Sequence, residues 1–111
     1  MSTVRSLRPA EFVQRWPTGV GDSEVVLLDV RERNELELAS LPFAIWIPMG
    51  EIPNRLDELD KSKAIVVMCH SGIRSMRVAQ YLADRGFVDV SNLTGGIDAW
   101  SLEVDRRVPR Y

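Results

Sequence analysis

This sequence is poor in residues that cross-link or clamp a chain: of 111 residues, one is cysteine and one is histidine. A lone cysteine excludes an internal disulfide, and one thiol with one imidazole makes no credible zinc site. No metal is therefore expected. No block of one charge is present either, since 14 Lys and Arg face 16 Asp and Glu, the formal charge is −2, and the basic residues are spread along the chain. That distribution argues against nucleic acid as the main partner. No apolar run approaches membrane-spanning length, and Met1 to Ser6 lack the apolar stretch of a secretory signal, so the expectation is no membrane and a cytoplasmic location. Internal repeats and low-complexity stretches are also missing.

What is present is ordinary for a globular chain: 45% apolar and 27% charged residues,. The length predicts one domain over residues 1–111 with one core. Helical and strand signals alternate throughout, which predicts an α/β fold with a mostly parallel central sheet. Pro9 suits a first helical position, and Leu7, Phe12, Val13 and Trp16 supply the apolar positions of a two-turn helix ending before Pro17. Gly19 and Gly21 mark a loop. Val25 to Leu28 is a continuous apolar run too short for a helix, so it reads as a strand buried on both faces and ending at Asp29-Val30-Arg31. A short acidic helix is expected between Glu32 and Leu38, then a strand over Ala44 to Ile47 stopped by Pro48.

Ile52, Leu56 and Leu59 fall at helical spacing, with Pro53 tolerated only in a first turn. Ala64 to Met68 is the clearest buried strand. Arg74 to Arg85 carries an apolar stripe, Val78, Ala79, Leu82 and Ala83, and Gly86 suits the position that ends a helix, with Phe87 folding back. A last strand over Val88 to Leu93 leads to Gly95-Gly96 and a brief helix with Ile97 and Trp100. Trp16, Trp46 and Trp100 read as core or rim residues.

Cys69 stands where the buried strand ends, at the edge of a parallel sheet where ligands usually bind. The loop His70-Ser71-Gly72-Ile73 runs into a helix start at Arg74, so unpaired backbone N–H groups are available to an anion there. A thiol of ordinary pKa about 8.5 ionises more readily at a helix N-terminus or beside an arginine. Gly72 permits backbone angles closed to other residues. Arg74 brings a fork of donors suited to an oxyanion, and Ser75 adds a hydroxyl. Together these residues form a cradle for a negatively charged sulfur species. The bland alternative is a buried cysteine that only closes a core strand.

Cys69-His70-Ser71-Gly72-Ile73-Arg74-Ser75 resembles the active-site loop of single-domain rhodanese-like sulfurtransferases. Leu28-Asp29-Val30-Arg31-Glu32 is similar to that family's Asp-Val-Arg motif, Ile47-Pro48 to its next segment, and Leu93 to Trp100 to its Gly-Gly signature. The resemblance covers about residues 5–104 and leaves a short tail. Where the family often has Gly-His-Ile and a Gly-Ala pair, this chain has Ala39-Ser40-Leu41-Pro42-Phe43-Ala44. His70 stands where many relatives have arginine, which implies weaker binding of a small dianion.

The resemblance implies a rhodanese-like α/β fold, with helices on both faces of the sheet, and a covalent transfer. Cys69 takes sulfane sulfur from thiosulfate or a persulfide donor and passes it to cyanide, a thiol or a protein acceptor. The resemblance implies no cofactor. Amides of His70, Ser71, Gly72, Ile73 and Ser75 would steady the sulfur, and Arg74 the leaving anion. Asp29 and Arg31 are read as supporting residues, although a plain salt bridge at a strand end explains them nearly as well. The alternatives are a non-catalytic interaction or redox-sensing domain and a cysteine-dependent phosphatase. Related phosphatases have five residues between cysteine and arginine where this chain has four, and usually a histidine where Met68 stands.

Overall fold

The computed structural model describes residues 3–17 and 24–111. The loop expected at Gly19 and Gly21 lies outside the described residues. Among the described residues five strands form one sheet: β1 (Arg5–Leu7), β2 (Val25–Asp29), β3 (Ile45–Trp46), β4 (Ala64–Met68) and β5 (Asp89–Leu93). Their order is β1-β5-β4-β2-β3, and every pairing is parallel. The helices are α1 (Pro9–Arg15), α2 (Arg33–Leu38), α3 (Ile73–Asp84) and α4 (Gly96–Glu103).

Side chains alternate across a strand, so one buried strand feeds two apolar layers. Ile65, Val67 and Cys69 join Val78, Ala79 and Leu82 of α3 on one face, whereas Val66 and Met68 meet Phe12 of α1 and Ile97 and Trp100 of α4 on the other. The expected single core is therefore two, divided by the sheet. Helices cover both faces of the sheet, as expected. Trp16 packs 5.3 Å from Phe12 between ring centroids, and Trp100 lies 5.7 Å from it.

Central β4 aligns with β2 so that Asp29 stands opposite Met68, and with β5 so that Asn92 stands opposite Val67. Three neighbouring parallel strands thus deliver Asp29, Cys69 and Asn92 to one carboxyl edge. Helix α3 ends as its sequence suggests: the Gly86 and Phe87 amides donate back to the carbonyls of Ala83 and Leu82,.

Some local readings differ. Leu7 belongs to β1, not to the first helix, and pairs with Leu93; a three-residue strand is too short to show a period of two. Val13 faces outward. Ile52, Leu56 and Leu59 lie in and beside two 3-10 segments, Met49–Asn54 and Leu56–Glu58, instead of an α-helix. Pro53 is the reason: it has no N–H for an α-helical bond to Met49, and its ring would crowd that carbonyl. The strand near Trp46 is two residues long, with the Ile47 amide still bonded to the Asp29 carbonyl at 3.0 Å. Among the described residues, no helix is long and apolar enough to cross a membrane.

Candidate active site

Cys69 is the first residue past β4, and its side chain lies on the α3 side of the sheet. The residue is 1% exposed, more enclosed than a freely accessible thiolate. Its surroundings are nonetheless polar at the sulfur. The Gly72 amide donates to Sγ at 3.1 Å and the Ser75 amide at 3.4 Å, while the Ser75 hydroxyl lies at 3.3 Å. Gly72 reaches this position with φ +104°, a left-handed backbone that side-chain-bearing residues rarely adopt,.

The loop amides can face inward because the loop carbonyls are taken elsewhere. Ile97 and Asp98, in the first turn of α4, donate their amides to the carbonyls of Cys69 and His70 at 3.0 and 3.2 Å. Gly96 allows that approach, since a Cβ there would collide with both carbonyl oxygens. Asn92 on β5 donates from Nδ2 to the Gly72 carbonyl at 3.0 Å and accepts from the Ser75 hydroxyl at 2.5 Å. Ser75 has one hydroxyl proton. It serves Asn92 while the sulfur is a thiol, and it can turn to the sulfur when the sulfur is ionised.

Burial opposes ionisation of Cys69, but donation from the Ser75 hydroxyl and from the Ser75, Gly72 and Ser71 amides outweighs it. The thiol therefore titrates below its ordinary range,. Arg74 is near enough for the charge on Cys69 to help keep it protonated, behind the larger effect of Glu35.

Arg74 does not stand free to grip an anion. Its Nη1 and Nη2 donate to Glu35 Oε1 and Oε2 at 2.6 and 2.9 Å. That pairing, ahead of a hydrogen bond from Tyr111, lowers the Glu35 pKa to about 2. His70 stacks on the Tyr111 ring, with centroids 4.0 Å apart and planes 11° apart. Ile73 points away from the site and is 70% exposed.

Asp29 and Arg31 form a fully buried pair. Arg31 donates from Nη2 and Nε to Asp29 at 2.7 and 3.0 Å, and also to the carbonyl of Ala39 at 2.9 Å and to the Tyr111 hydroxyl at 2.9 Å. Asp29 accepts the Arg31 amide, not an amide of the cysteine loop. Arg31 is linked to Arg74 of the loop through Tyr111 and Glu35. In the segment that departs from the family pattern, Ala39 and Leu41 are buried in the α1–α4 core.

Sequence reasoning missed Glu35, Asn92, Gly96 and Tyr111 as neighbours of the loop. Each is far from Cys69 in sequence and carries no local pattern that links it to the thiol. The Gly95-Gly96 pair was the one visible signal.

The arrangement defines a class before any comparison: a parallel α/β protein that encloses one thiol within backbone amides at a helix N-terminus. The Rhodanese-like domain profile matches residues 17–103, and the chain belongs to that family. It is 39% identical to the Rhodanese-like/PpiC domain-containing protein 12, chloroplastic, of Arabidopsis thaliana, over 97% of this chain but 38% of that protein. Against a sulfurtransferase of Allochromatium vinosum it is 40% identical, covering 70% of this chain and 73% of that one. A rhodanese-like domain protein from Staphylococcus aureus superposes with a TM-score of 0.78 at 29% identity, covering 97% of this chain and 99% of its own.

Proposed function

We propose that this protein moves sulfane sulfur from thiosulfate or a persulfide to a nucleophilic acceptor by way of a Cys69 persulfide. The observation that carries this reading is the convergence of the Gly72 and Ser75 amides on one sulfur atom, at 3.1 and 3.4 Å. Two donors held in place by the fold favour an anion on that sulfur, and enclosure strengthens them relative to the same donors in water.

In the first step the Cys69 thiolate attacks the outer sulfur of the donor. With thiosulfate the S–S bond breaks and sulfite leaves with the bonding electron pair, giving Cys69–S–S⁻. With R–S–SH the leaving group is R–S⁻, and the proton stays on the transferred sulfur. In the second step an acceptor attacks the outer sulfur and Cys69 departs as thiolate; with cyanide the product is thiocyanate. The covalent intermediate splits one transfer into two substitutions at sulfur. The chain has one cysteine, so no second thiol of its own can resolve the persulfide. The acceptor is a small thiol, cyanide or another protein.

The loop amides hold both thiolate and persulfide in this scheme. Ser75 supplies its proton to whichever is charged, and Asp29 with Arg31 keeps α2 and Glu35 in position. The test is incubation with thiosulfate or a persulfide followed by intact-mass measurement and a thiocyanate assay. One added sulfur atom, absent in Cys69→Ser, is expected. Thiocyanate formation that survives Cys69→Ser would sink the assignment of the nucleophile, and hydrolysis of an aryl phosphate without sulfur loading would favour a phosphatase.

A further inference from the structure

The sulfur loop carries one arginine, and a carboxylate already holds it. Both terminal nitrogens of Arg74 donate to Glu35, at 2.6 and 2.9 Å. Glu35 is fixed in turn: it accepts the Tyr111 hydroxyl at 2.7 Å and the Glu32 amide at 3.1 Å. Tyr111 is itself held by Arg31, which donates to its hydroxyl at 2.9 Å, and its ring lies flat on His70. The segment leading to Tyr111, read from the sequence as a tail, is docked. The Ser101 hydroxyl donates to the Val108 carbonyl at 2.7 Å, and Arg110 pairs with Asp98 at 2.8 Å. The two loop side chains suited to meet a small anion are thus both occupied, Arg74 by an opposite charge and His70 by an aromatic ring.

We infer that Glu35, held by Tyr111, is a specificity-determining residue that cancels the Arg74 charge and turns the site from dianionic donors such as thiosulfate toward persulfides. This rests on the sulfurtransferase reading above. The two donors differ in where charge collects. Thiosulfate arrives as a dianion and releases sulfite, so two negative charges have to be held throughout beside an Arg74 whose own charge Glu35 already balances. A persulfide R–S–SH arrives with no more than one charge at the reacting end and releases one thiolate. Like charges at short range in a partly enclosed site disfavour the first case more than the second. Glu35 remains ionised across the neutral range, since its pKa is held to about 2 by Arg74.

The experiment compares kcat/KM for thiosulfate and for glutathione persulfide in the wild type, Glu35→Gln and Tyr111→Phe. In Glu35→Gln the thiosulfate-to-persulfide ratio rises about tenfold, mainly through a lower KM for thiosulfate. Tyr111→Phe keeps the ring over His70 but loses the hydroxyl, and it shifts the ratio the same way by a smaller factor. Inorganic sulfate, used as an inhibitor of the persulfide reaction, binds more tightly in Glu35→Gln; a merely structural role for Glu35 would not move that constant in this direction. A ratio unchanged within about twofold in a folded Glu35→Gln overturns the inference. If Glu35→Gln does not fold, an unchanged ratio in Tyr111→Phe overturns it. Sulfur loading from the persulfide with an unshifted ratio sinks the role of Glu35 alone, whereas no loading of the wild type from any donor sinks the sulfurtransferase reading as well.

Discussion

Ser75 Oγ is 3.3 Å from the Cys69 sulfur and 2.5 Å from Asn92 Oδ1, so one proton on one hydroxyl answers to two acceptors. Donation from Ser75 and the loop amides places the Cys69 titration below that of a free thiol. The rate of iodoacetamide alkylation against pH is expected to show a midpoint below that of free cysteine measured alongside,. Ser75→Ala moves that midpoint upward, and a midpoint equal to that of free cysteine in the wild type would refute the donor cradle. A second residue-scale prediction concerns Asp29. Arg31 is 0% exposed. Replacing its partner by Asp29→Asn leaves a buried guanidinium without its counter-charge, and urea unfolding should show a loss of about 3–5 kcal/mol. A loss near zero would mean that Ala39 and Tyr111 suffice to hold Arg31.

Helix α4 acts at the next scale. Its first-turn amides bind the loop carbonyls, and Gly96 is the residue that lets it come close. Gly96→Ala forces α4 or the loop to move, since the added methyl group meets backbone and not a flexible side chain. The expected result is a lower melting temperature together with a Cys69 alkylation midpoint shifted upward, because displaced carbonyls disturb the aim of the amides. Destabilisation with an unaltered thiol titration would show that α4 braces the fold but not the sulfur. Helix α3 offers a contrast. Leu82→Ala opens its fully buried face against β4 and costs about 2–5 kcal/mol,. Its helix and the strand before it were legible from the sequence alone, because Val78 to Ala83 repeats an apolar period and Ala64 to Met68 is a continuous apolar run too short for a helix,. The segment containing Ile52, Leu56 and Leu59 has an equally helical spacing. There the pattern misleads, because Pro53 withdraws one donor and the turn tightens while Ile52 and Leu59 remain buried.

On the scale of the whole molecule, Glu35 ties α2, α3 and the Tyr111 segment together, and it carries a pH dependence. Its pKa in the folded protein, about 2, lies below the ordinary carboxylate value, chiefly through Arg74,. Stability from this group is therefore fully present above the unfolded pKa of about 4.3 and is lost as pH falls toward the folded value. Thermal melts should show a decline between about pH 4.5 and 2 that is shallower in Glu35→Gln, by on the order of 1 kcal/mol after solvent screening. Identical acid profiles for wild type and variant would remove Glu35 from the link.

The sequence by itself determined the buried strand that ends at Cys69, the glycine and helix start behind it, and the alternation that makes the sheet parallel. These are properties of neighbouring residues, and hydrophobic period and turn chemistry report them directly. Only the tertiary structure decided that Asn92 takes the Ser75 proton, that α4 consumes the loop carbonyls, and that Glu35 and Tyr111 occupy Arg74 and His70. Those contacts join residues separated by 17, 39 and 76 positions in the cases of Ser75 with Asn92, Arg74 with Glu35, and Tyr111 with Glu35. No local period links such positions; they meet because packing on the two faces of one sheet brings them to the same edge.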